Sequence, residues 1–374
     1  MLRDFRNYAE LDQPIAGRIV VVAGANGVGK TNLLEAISLL GPGRGLRGAR
    51  GAELGRRQED ESLPWVAAGH FEGIEGPVVI GTAAEAGQDR RTFRLDGMPV
   101  RSQAEIARHA AALWLTPQMD RLFQEAASGR RRFLDRLVWS LEPTHARDVA
   151  AHDAAMTQRN RLLSEGRRDA GWLAALEDTM ARHAVAAVAA RRDLAARLNG
   201  VLAAGVAGSF PAARLDLLCP IAAALDEEPA LAVEDALRDG LAADRGRDAA
   251  AGGARQGAHR TDLRMVLLPK GIPAELCSTG EQKALLVTVV LAQAALVAAR
   301  RGFAPLLLLD EVAAHLDPGR REALFAALKA LPAQCFLTGT ELPPFAPLRG
   351  VAEAFLAHPG GLSPDADFPV PAEA

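Results

Sequence analysis

The sequence predicts an α/β fold split in two by an inserted, mainly helical lobe. Three observations predict it. A short apolar strand at 18–23 (RIVVVA) runs into a glycine-rich turn and then into helical apolar spacing at 31–40. A four-leucine run, Leu306–Leu309, ends in Asp310 and Glu311, the pattern of a central parallel strand. From about 120 to 255 the texture changes to alanine, leucine, arginine and glutamate with helical spacing. The α/β unit therefore comprises 1–118 and 257–374, and the helical insertion 119–256.

The elements follow in order. Residues 41–57 (GPGRGLRGARGAELGRR) are rich in glycine and arginine and read as a loop. The stretch 63–115 reads as strands: 77–82 is apolar and β-branched, and 92–95 and 98–100 flank the hairpin pair Asp96-Gly97. A further strand is expected at 112–115. Residues 174–198 form a long helix candidate, and 245–257 (RGRDAAAGGARQG) a linker. A strand is expected at 264–268, a buried apolar helix at 281–300, a helix at 320–331 and a strand at 335–338. The tail from about 361 to 374, rich in proline and acid, is expected to be disordered. No internal repeat and no sustained heptad run is present.

Composition narrows the classes. The 374 residues, 49 % hydrophobic and 24 % charged, are ordinary for a globular chain of two to three units at roughly 150 residues each. A net charge of −3, from 43 basic and 46 acidic residues, is far from that of a protein that coats nucleic acid permanently. Any nucleic-acid contact must be local, weak or switched on. Three separated cysteines, Cys219, Cys277 and Cys335, suit a reducing cytoplasm without a disulfide framework. The N-terminal MLRDFRNYAELD lacks an apolar export core, and no uncharged apolar run reaches 18 residues, so neither an export signal nor a membrane span is expected. Only four of the 43 basic residues are lysine: Lys30, Lys270, Lys283 and Lys329. A lysine inside a motif is therefore informative, since lysine and arginine differ as phosphate ligands.

Gly24-Ala25-Asn26-Gly27-Val28-Gly29-Lys30-Thr31, followed by Asn32, fits G-x-x-x-x-G-K-[ST] between a strand and a helix. Glycines let the backbone approach a phosphate, and the helix adds its positive N-terminus. Lys30 would meet the β and γ phosphates, and Thr31 would offer its hydroxyl to Mg²⁺. Asp310, at the end of its strand, would hold Mg²⁺ at the carboxyl edge of the sheet, where ligands bind in such folds. Glu311 would orient the attacking water as a general base. Ser278-Thr279-Gly280-Glu281-Gln282 opens the long apolar helix and offers a second anion site at a helix N-terminus. By itself it is equally an N-cap, Ser278 or Thr279, with Glu281 in the first turn. His315-Leu316-Asp317-Pro318 reads alone as a polar turn.

These pieces, in this order, resemble the ATP-binding-cassette ATPases. Within them the chain resembles the SMC-like RecF family over nearly its whole length, through 2–8 (LRDFRNY), 44–47 (RGLR), 130–135 (RRRFLD), 159–163 (RNRLL), 259–263 (HRTDL) and 277–283 (CSTGEQK). The resemblance implies an SMC-like head with a helical second lobe and no long coiled coil. It implies an ATP-dependent head-to-head homodimer in which Ser278 and Gly280, with Gln282 in the same motif, meet the γ-phosphate held by the other chain. Asp317 would lie along the dimer seam, and Glu311 with Lys30 would support slow, DNA-dependent hydrolysis that resets the dimer. It further implies recombinational repair and replication restart on gapped, duplex or junction DNA, recombinase loading with RecR and RecO, support of the SOS response, and a cytoplasmic location.

The sequence departs from cassette ATPases in two respects, at the histidine after the last core strand and at the glutamine loop. Where transporter-type chains carry a histidine after the last core strand, this chain has 336–340 (FLTGT), so Thr338 or Thr340 serves in its place, or no residue does. Gln118, where similar chains often carry an acid, is the candidate for the glutamine-loop position, with an exposed loop residue as the alternative. For DNA, the glycine-rich stretch 41–57 offers Arg44, Arg47, Arg50, Arg56 and Arg57 against Glu53 alone, which suits sequence-independent phosphate contacts; a solvated loop is the plainer reading. Arg130, Arg131, Arg132 and Arg136 form a second cluster on a helix, open equally to a salt-bridged face. Only 5 % of residues are aromatic and they are scattered, so no base-stacking platform is expected. Two other readings carry the same motifs. A transporter motor subunit usually has its signature about a hundred residues after the phosphate loop, and a chromosome-organising head needs coiled-coil arms longer than 119–256 provides.

Overall fold

The computed structural model describes residues 1–59, 61–73, 76–167, 169–205, 207–314 and 316–368. The chain divides into two units. The first comprises Met1–Asp120, Gly205–Pro211 and Thr279–Ala374; the second comprises Arg121–Ala204 and Ala212–Ser278. The return to the first unit thus falls at Thr279, not at 257. The reason is strand pairing: Asp262–Leu267 lies antiparallel to Ala213–Leu218, from Ala213 opposite Leu267 to Leu218 opposite Asp262.

The strand Ile19–Ala23 is buried along its whole length. A continuous Ile/Val run is what a strand covered on both faces requires. It lies parallel to Cys335–Gly339 on one side and Ala352–His358 on the other. Leu306–Leu309 pairs with Cys335–Gly339, and Ala112–Leu115 with Leu306–Leu309, both parallel. This order sets the carboxyl ends of Ile19–Ala23 and Leu306–Leu309 on either side of Thr338. The turn that follows Ala23 and the acids that follow Leu309 therefore emerge at one edge of the sheet, where α/β folds bind ligands.

A second, antiparallel sheet runs Tyr8–Leu11, Leu2–Phe5, Trp65–Gly73, Gly76–Ala84, Thr92–Leu95 and Met98–Pro99. Phe5, Tyr8, Trp65 and Ile80 from this sheet join Leu34 and Leu39 of the helix Lys30–Leu39 in one buried core. The helix Thr279–Arg301 is the one described helix apolar and long enough to cross a membrane, but 83 % of its apolar window is buried inside the protein, as for a core helix.

The second unit packs the helices His145–Ser164, Ala170–Ala203 and Ala230–Ala243 around Met180, Ala184, Val188 and Leu237. It also buries charge. Arg159 is fully buried and donates to Glu177 at 2.9 Å, to Asp248 at 2.8 Å and to the Leu241 carbonyl at 2.6 Å. Arg191 is paired with both oxygens of Asp135, at 2.7 and 2.9 Å, and Asp135 also meets His145 Nε2 at 2.7 Å.

Three sequence expectations are corrected. The linker at 245–257 is largely the helix Arg245–Ala251, closed by Gly252 at φ 75°. Its Asp248 is buried against Arg159, a partner no local pattern announces. The tail is ordered at its start: Gly361–Pro364 pairs antiparallel with Ala352–His358, and Phe368 is buried. Residues 369–374 of that expectation lie outside the described residues. The loop 41–57 contains a short helix, Gly51–Leu54, whose Arg50 N–H donates to Glu53 at 3.0 Å.

Candidate nucleotide-binding site

The turn between Ala23 and Lys30 needs its glycines. Gly27 and Gly29 stand at φ 85° and 116°, where side chains are disfavoured. A Cβ at Gly29 would lie 2.4 Å from Asn7 Nδ2, and one at Gly24 would lie 2.6 Å from the Ala357 carbonyl. The helix Lys30–Leu39 begins with Gly29 as its N-cap and no side-chain cap. Its first N–H groups are thus left to a ligand, and the helix dipole favours an anion there. Lys30 folds back over the turn, donating to the Gly24 carbonyl at 2.6 Å and the Ala25 carbonyl at 2.9 Å. Burial pushes its ammonium below the ordinary lysine range, against the pull of Glu311 and Asp310.

Thr31 Oγ1 donates to the Asp310 carboxylate at 2.9 and 3.1 Å. Thr338 Oγ1 donates to Asp310 Oδ1 at 2.7 Å and accepts the Glu311 N–H at 2.9 Å. Of the two threonines, Thr338 is the one placed among the acids; Thr340 is exposed on the following bend. Glu311 has φ 49°, left-handed for a residue with a side chain, which costs of the order of 1–3 kcal/mol. Such a cost persists only where surrounding contacts hold it. Lys283 supplies one: its Nζ donates to the Ala314 carbonyl at 2.8 Å and lies 3.5 Å from the Glu311 carbonyl. Burial pushes the Lys283 ammonium down, while Asp120, 3.8 Å away, and Glu311 pull it up. Asp120, with Asp310 and Lys283, lines a small cavity. Gln118 is exposed on the turn Pro117–Arg121 and does not line it, whereas Asp120 of the same turn does.

The hydroxyl of Thr31 and the carboxylate of Asp310 are hard oxygen donors at contact distance from each other, and so fit a Mg²⁺ ion. Among the described residues no group of three or more His, Cys, Asp or Glu side chains could cage a metal alone. Magnesium seldom asks for such a cage, taking one or two carboxylates plus substrate phosphates.

The match to known proteins is extensive. The RecF/RecN/SMC N terminal domain model matches residues 1–342. The DNA replication and repair protein RecF of Allorhizobium ampelinum is 46 % identical over 368 residues, 97 % of each chain. That of Mesorhizobium japonicum is 45 % identical over 369 residues, 98 % of this chain and 97 % of the relative. This chain belongs to the RecF family. Its fold agrees with a solved structure of the recombination mediator protein RecF-ATPrS in the RecFOR pathway, at TM-score 0.85, 21 % identity and coverage of 98 % and 96 %. It agrees more loosely with an SMC head bound to the C-winged helix domain of ScpA, at TM-score 0.50, 16 % identity and coverage of 97 % and 95 %. The architecture is that of an SMC-like P-loop ATPase head with a mainly helical second unit.

In this RecF-family chain the N-terminal strand turn supports the phosphate loop, a role that residue patterns alone did not assign. Asn7 Nδ2 donates to the Val28 carbonyl at 3.0 Å, Asn32 Nδ2 donates to Asn7 Oδ1 at 2.7 Å, and the Tyr8 hydroxyl donates to the Gly29 carbonyl at 3.1 Å. Burial pushes the Tyr8 phenol up to about 12, so it stays a donor. Arg6, at φ 52°, reaches both oxygens of the buried Glu35 at 2.9 Å. The one available signal was LRDFRNY, which marked the family without marking the contact.

The signature residues lie at the start of Thr279–Arg301. Gly280 is approached closely, since a Cβ there would lie 2.8 Å from Arg320 Nη1, and Gln282 is buried. Ser278 is the last residue of the second unit. Asp317 caps the helix Pro318–Ala330 by accepting the Arg320 N–H at 3.0 Å, and its side chain stays 56 % exposed. His315 of the same turn lies outside the described residues.

The expected DNA arginines separate into two sets. Arg47 is tied to Glu35 at 3.0 Å and Arg56 to Asp4 at 2.8 Å, so both are committed within the unit. Arg44, Arg50 and Arg57 are exposed, with Arg50 3.6 Å from Asp89. Arg44 and Arg50 line an open groove of about 810 Å³ together with Arg90, Arg91 and Arg101, three arginines from outside 41–57. In the other cluster, Arg130 is bound by both oxygens of Asp262 at 2.8 Å, and Arg131 donates to the Thr261 carbonyl at 3.0 Å. These two hold the second unit together.

Proposed function

We propose that this chain is an ATP-gated DNA-binding protein of recombinational repair and replication restart. The observation that carries the nucleotide half is the Thr338 hydroxyl, which joins Asp310 and Glu311 beside Lys30 and Thr31. Phosphoryl transfer from ATP requires such positioning and charge stabilisation rather than covalent chemistry. The phosphates of ATP would lie on the N–H groups of Gly24–Thr31. Lys30 would exchange the Gly24 and Ala25 carbonyls for phosphate oxygens. Thr31 and Asp310 would hold Mg²⁺, which would offset phosphate charge at the scissile bond. Glu311 would receive a proton from the attacking water, as a weak, DNA-dependent ATPase requires.

Gly280, Gln282 and the preceding Ser278 would bind the γ-phosphate presented by a second copy, so that ATP joins two chains and its hydrolysis releases them. Family membership supports this dimer, action on gapped or duplex DNA, support of the SOS response and partnership with RecO and RecR; the RecFOR pathway is named for the solved RecF. Three free cysteines suit a reducing cytoplasm.

The test is fluorescence anisotropy on a gapped duplex, with ATP·Mg²⁺ and without nucleotide. Binding only with ATP, lost in Lys30→Ala, is expected; equal binding in both conditions would refute the gating. The arginine groove is the proposed DNA contact. Replacing Arg90 and Arg101 with serine should flatten the dependence of log K on log salt by about two. An unchanged slope would place the DNA elsewhere.

A further inference from the structure

Lys283 is one of four lysines in the chain, is buried, and belongs to neither the phosphate loop nor the acid pair. It stands three residues after Gly280, one helical turn on, so both lie on the same side of Thr279–Arg301. Its ammonium donates to the Ala314 carbonyl at 2.8 Å and, more distantly, lies 3.5 Å from the Glu311 carbonyl, with the Asp120 carboxylate 3.8 Å away. Those two carbonyls bracket the turn in which Glu311 takes its left-handed φ of 49°, and the Ala314 N–H donates back to the Glu311 carbonyl at 3.1 Å. Arg320, paired with Asp317 at 3.4 Å, lies close to Gly280 alongside. The start of the signature helix is thus bonded to the Glu311–Ala314 turn through Lys283, with Arg320 close by at Gly280. An uncharged side chain at 283 would leave the Ala314 carbonyl without its donor.

We propose that Lys283 is a positioning residue for hydrolysis: it holds the Glu311–Ala314 turn to the signature helix, so that displacement of that helix by a γ-phosphate displaces the Glu311 carboxylate with it. Because the signature would serve the nucleotide of the second copy while Glu311 serves the chain's own, this tie links the two ATP sites of a dimer. The inference rests on the reading of Glu311 as the general base.

The experiment measures single-turnover ATP hydrolysis and binding of a fluorescent ATP analogue for the full chain and for Lys283→Met, Lys283→Arg, Glu311→Gln and the double variant Lys283→Met/Glu311→Gln. Lys283→Met is expected to slow hydrolysis by about 10–100-fold with analogue affinity within about twofold, and Lys283→Arg to recover most of the rate. In the Glu311→Gln background the methionine should cost no more than about a further twofold, since residues acting as a unit are not additive. A full further loss there, or a wild-type rate in Lys283→Met, would overturn the proposal while leaving the Glu311 reading intact. A wild-type rate in Glu311→Gln would overturn that reading and the proposal with it. Circular dichroism checks folding; if both Lys283 variants unfold, Lys283 is a residue of the fold and the proposal is lost.

Discussion

The central cluster of the second unit and the phosphate-loop cluster of the first bury charge in different ways. In the second, every charge of the central cluster is answered by another: Arg159 by Glu177 and Asp248, Arg191 by Asp135. Around the phosphate loop of the first, Lys30 donates to backbone carbonyls and the Asp310 carboxylate accepts from the hydroxyls of Thr31 and Thr338, although Glu35, in the same unit, is closed by Arg6 and Arg47, and Lys283 has Asp120 3.8 Å away. A buried ion closed by its counter-ion has nothing left to offer a ligand. A buried ion held by neutral dipoles keeps its full charge available, at the cost of desolvation that a ligand of opposite sign relieves. The contrast separates charge that builds the molecule from charge that awaits something.

Breaking the closed cluster should have the largest effect on stability. Arg159→Met leaves Glu177 and Asp248 buried with a lost partner and is expected to cost about 3–5 kcal/mol in urea unfolding of the second unit. A loss below about 1 kcal/mol would mean that the two acids find other partners. Opening the ligand-facing set should act on binding instead. Lys30→Ala is expected to weaken ATP affinity by about 100-fold, roughly 2.7 kcal/mol, with a melting temperature near that of the parent chain. Equal damage to melting temperature and affinity would erase the distinction between the two clusters. Thr338→Val removes a hydroxyl that both donates to Asp310 and accepts from the Glu311 N–H. Hydrolysis should slow by about tenfold while ATP binds within about twofold, a split that isolates positioning from affinity.

The smallest effect tests the paired side by pH. Burial pushes the Asp135 carboxyl up, but hydrogen bonds from His145 and Arg191 outweigh it and hold the group below the usual carboxylate range. A group depressed in the folded state stabilises fully above its unfolded value, about 3.9, and loses that contribution as pH falls through the folded value. Acid unfolding below about pH 4 should therefore be shallower in Asp135→Asn than in the parent chain. Parallel acid limbs would show that Asp135 does not carry the difference.

The phosphate loop was legible because its information is contiguous: glycines, lysine and threonine within eight residues, between an Ile/Val strand and a helix. Leu306–Leu309, Thr92–Leu95 and Ala112–Leu115 were legible to the residue for the same reason, since period and composition are local. What escaped depends on distant partners. Residues 245–251 read as a linker because alanine, glycine and arginine favour no face; the helix is fixed by Asp248 meeting Arg159, 89 residues earlier. Arg47 and Arg56 looked like free cations because Glu35 and Asp4, their counter-ions, lie outside the loop. Gln118 matched a motif position, yet the turn Pro117–Arg121 carries Asp120, not Gln118, to the cavity beside Asp310. Asn7 and Tyr8 fall within LRDFRNY, which marks the family but not their contact with a loop twenty-one residues on.

The scarcity of lysine has a practical consequence. Of the four side-chain amines, Lys270 and Lys329 are exposed, while Lys30 and Lys283 are buried. An amine-reactive dye applied briefly to the native chain will therefore decorate two surface side chains and spare the other two. Modification at Lys30 then registers when the phosphate loop loosens, and modification at Lys283 registers when the turn carrying Glu311 parts from the signature helix. The chain thus reports on these two segments through reagents that arginine, the other 39 cations, does not consume.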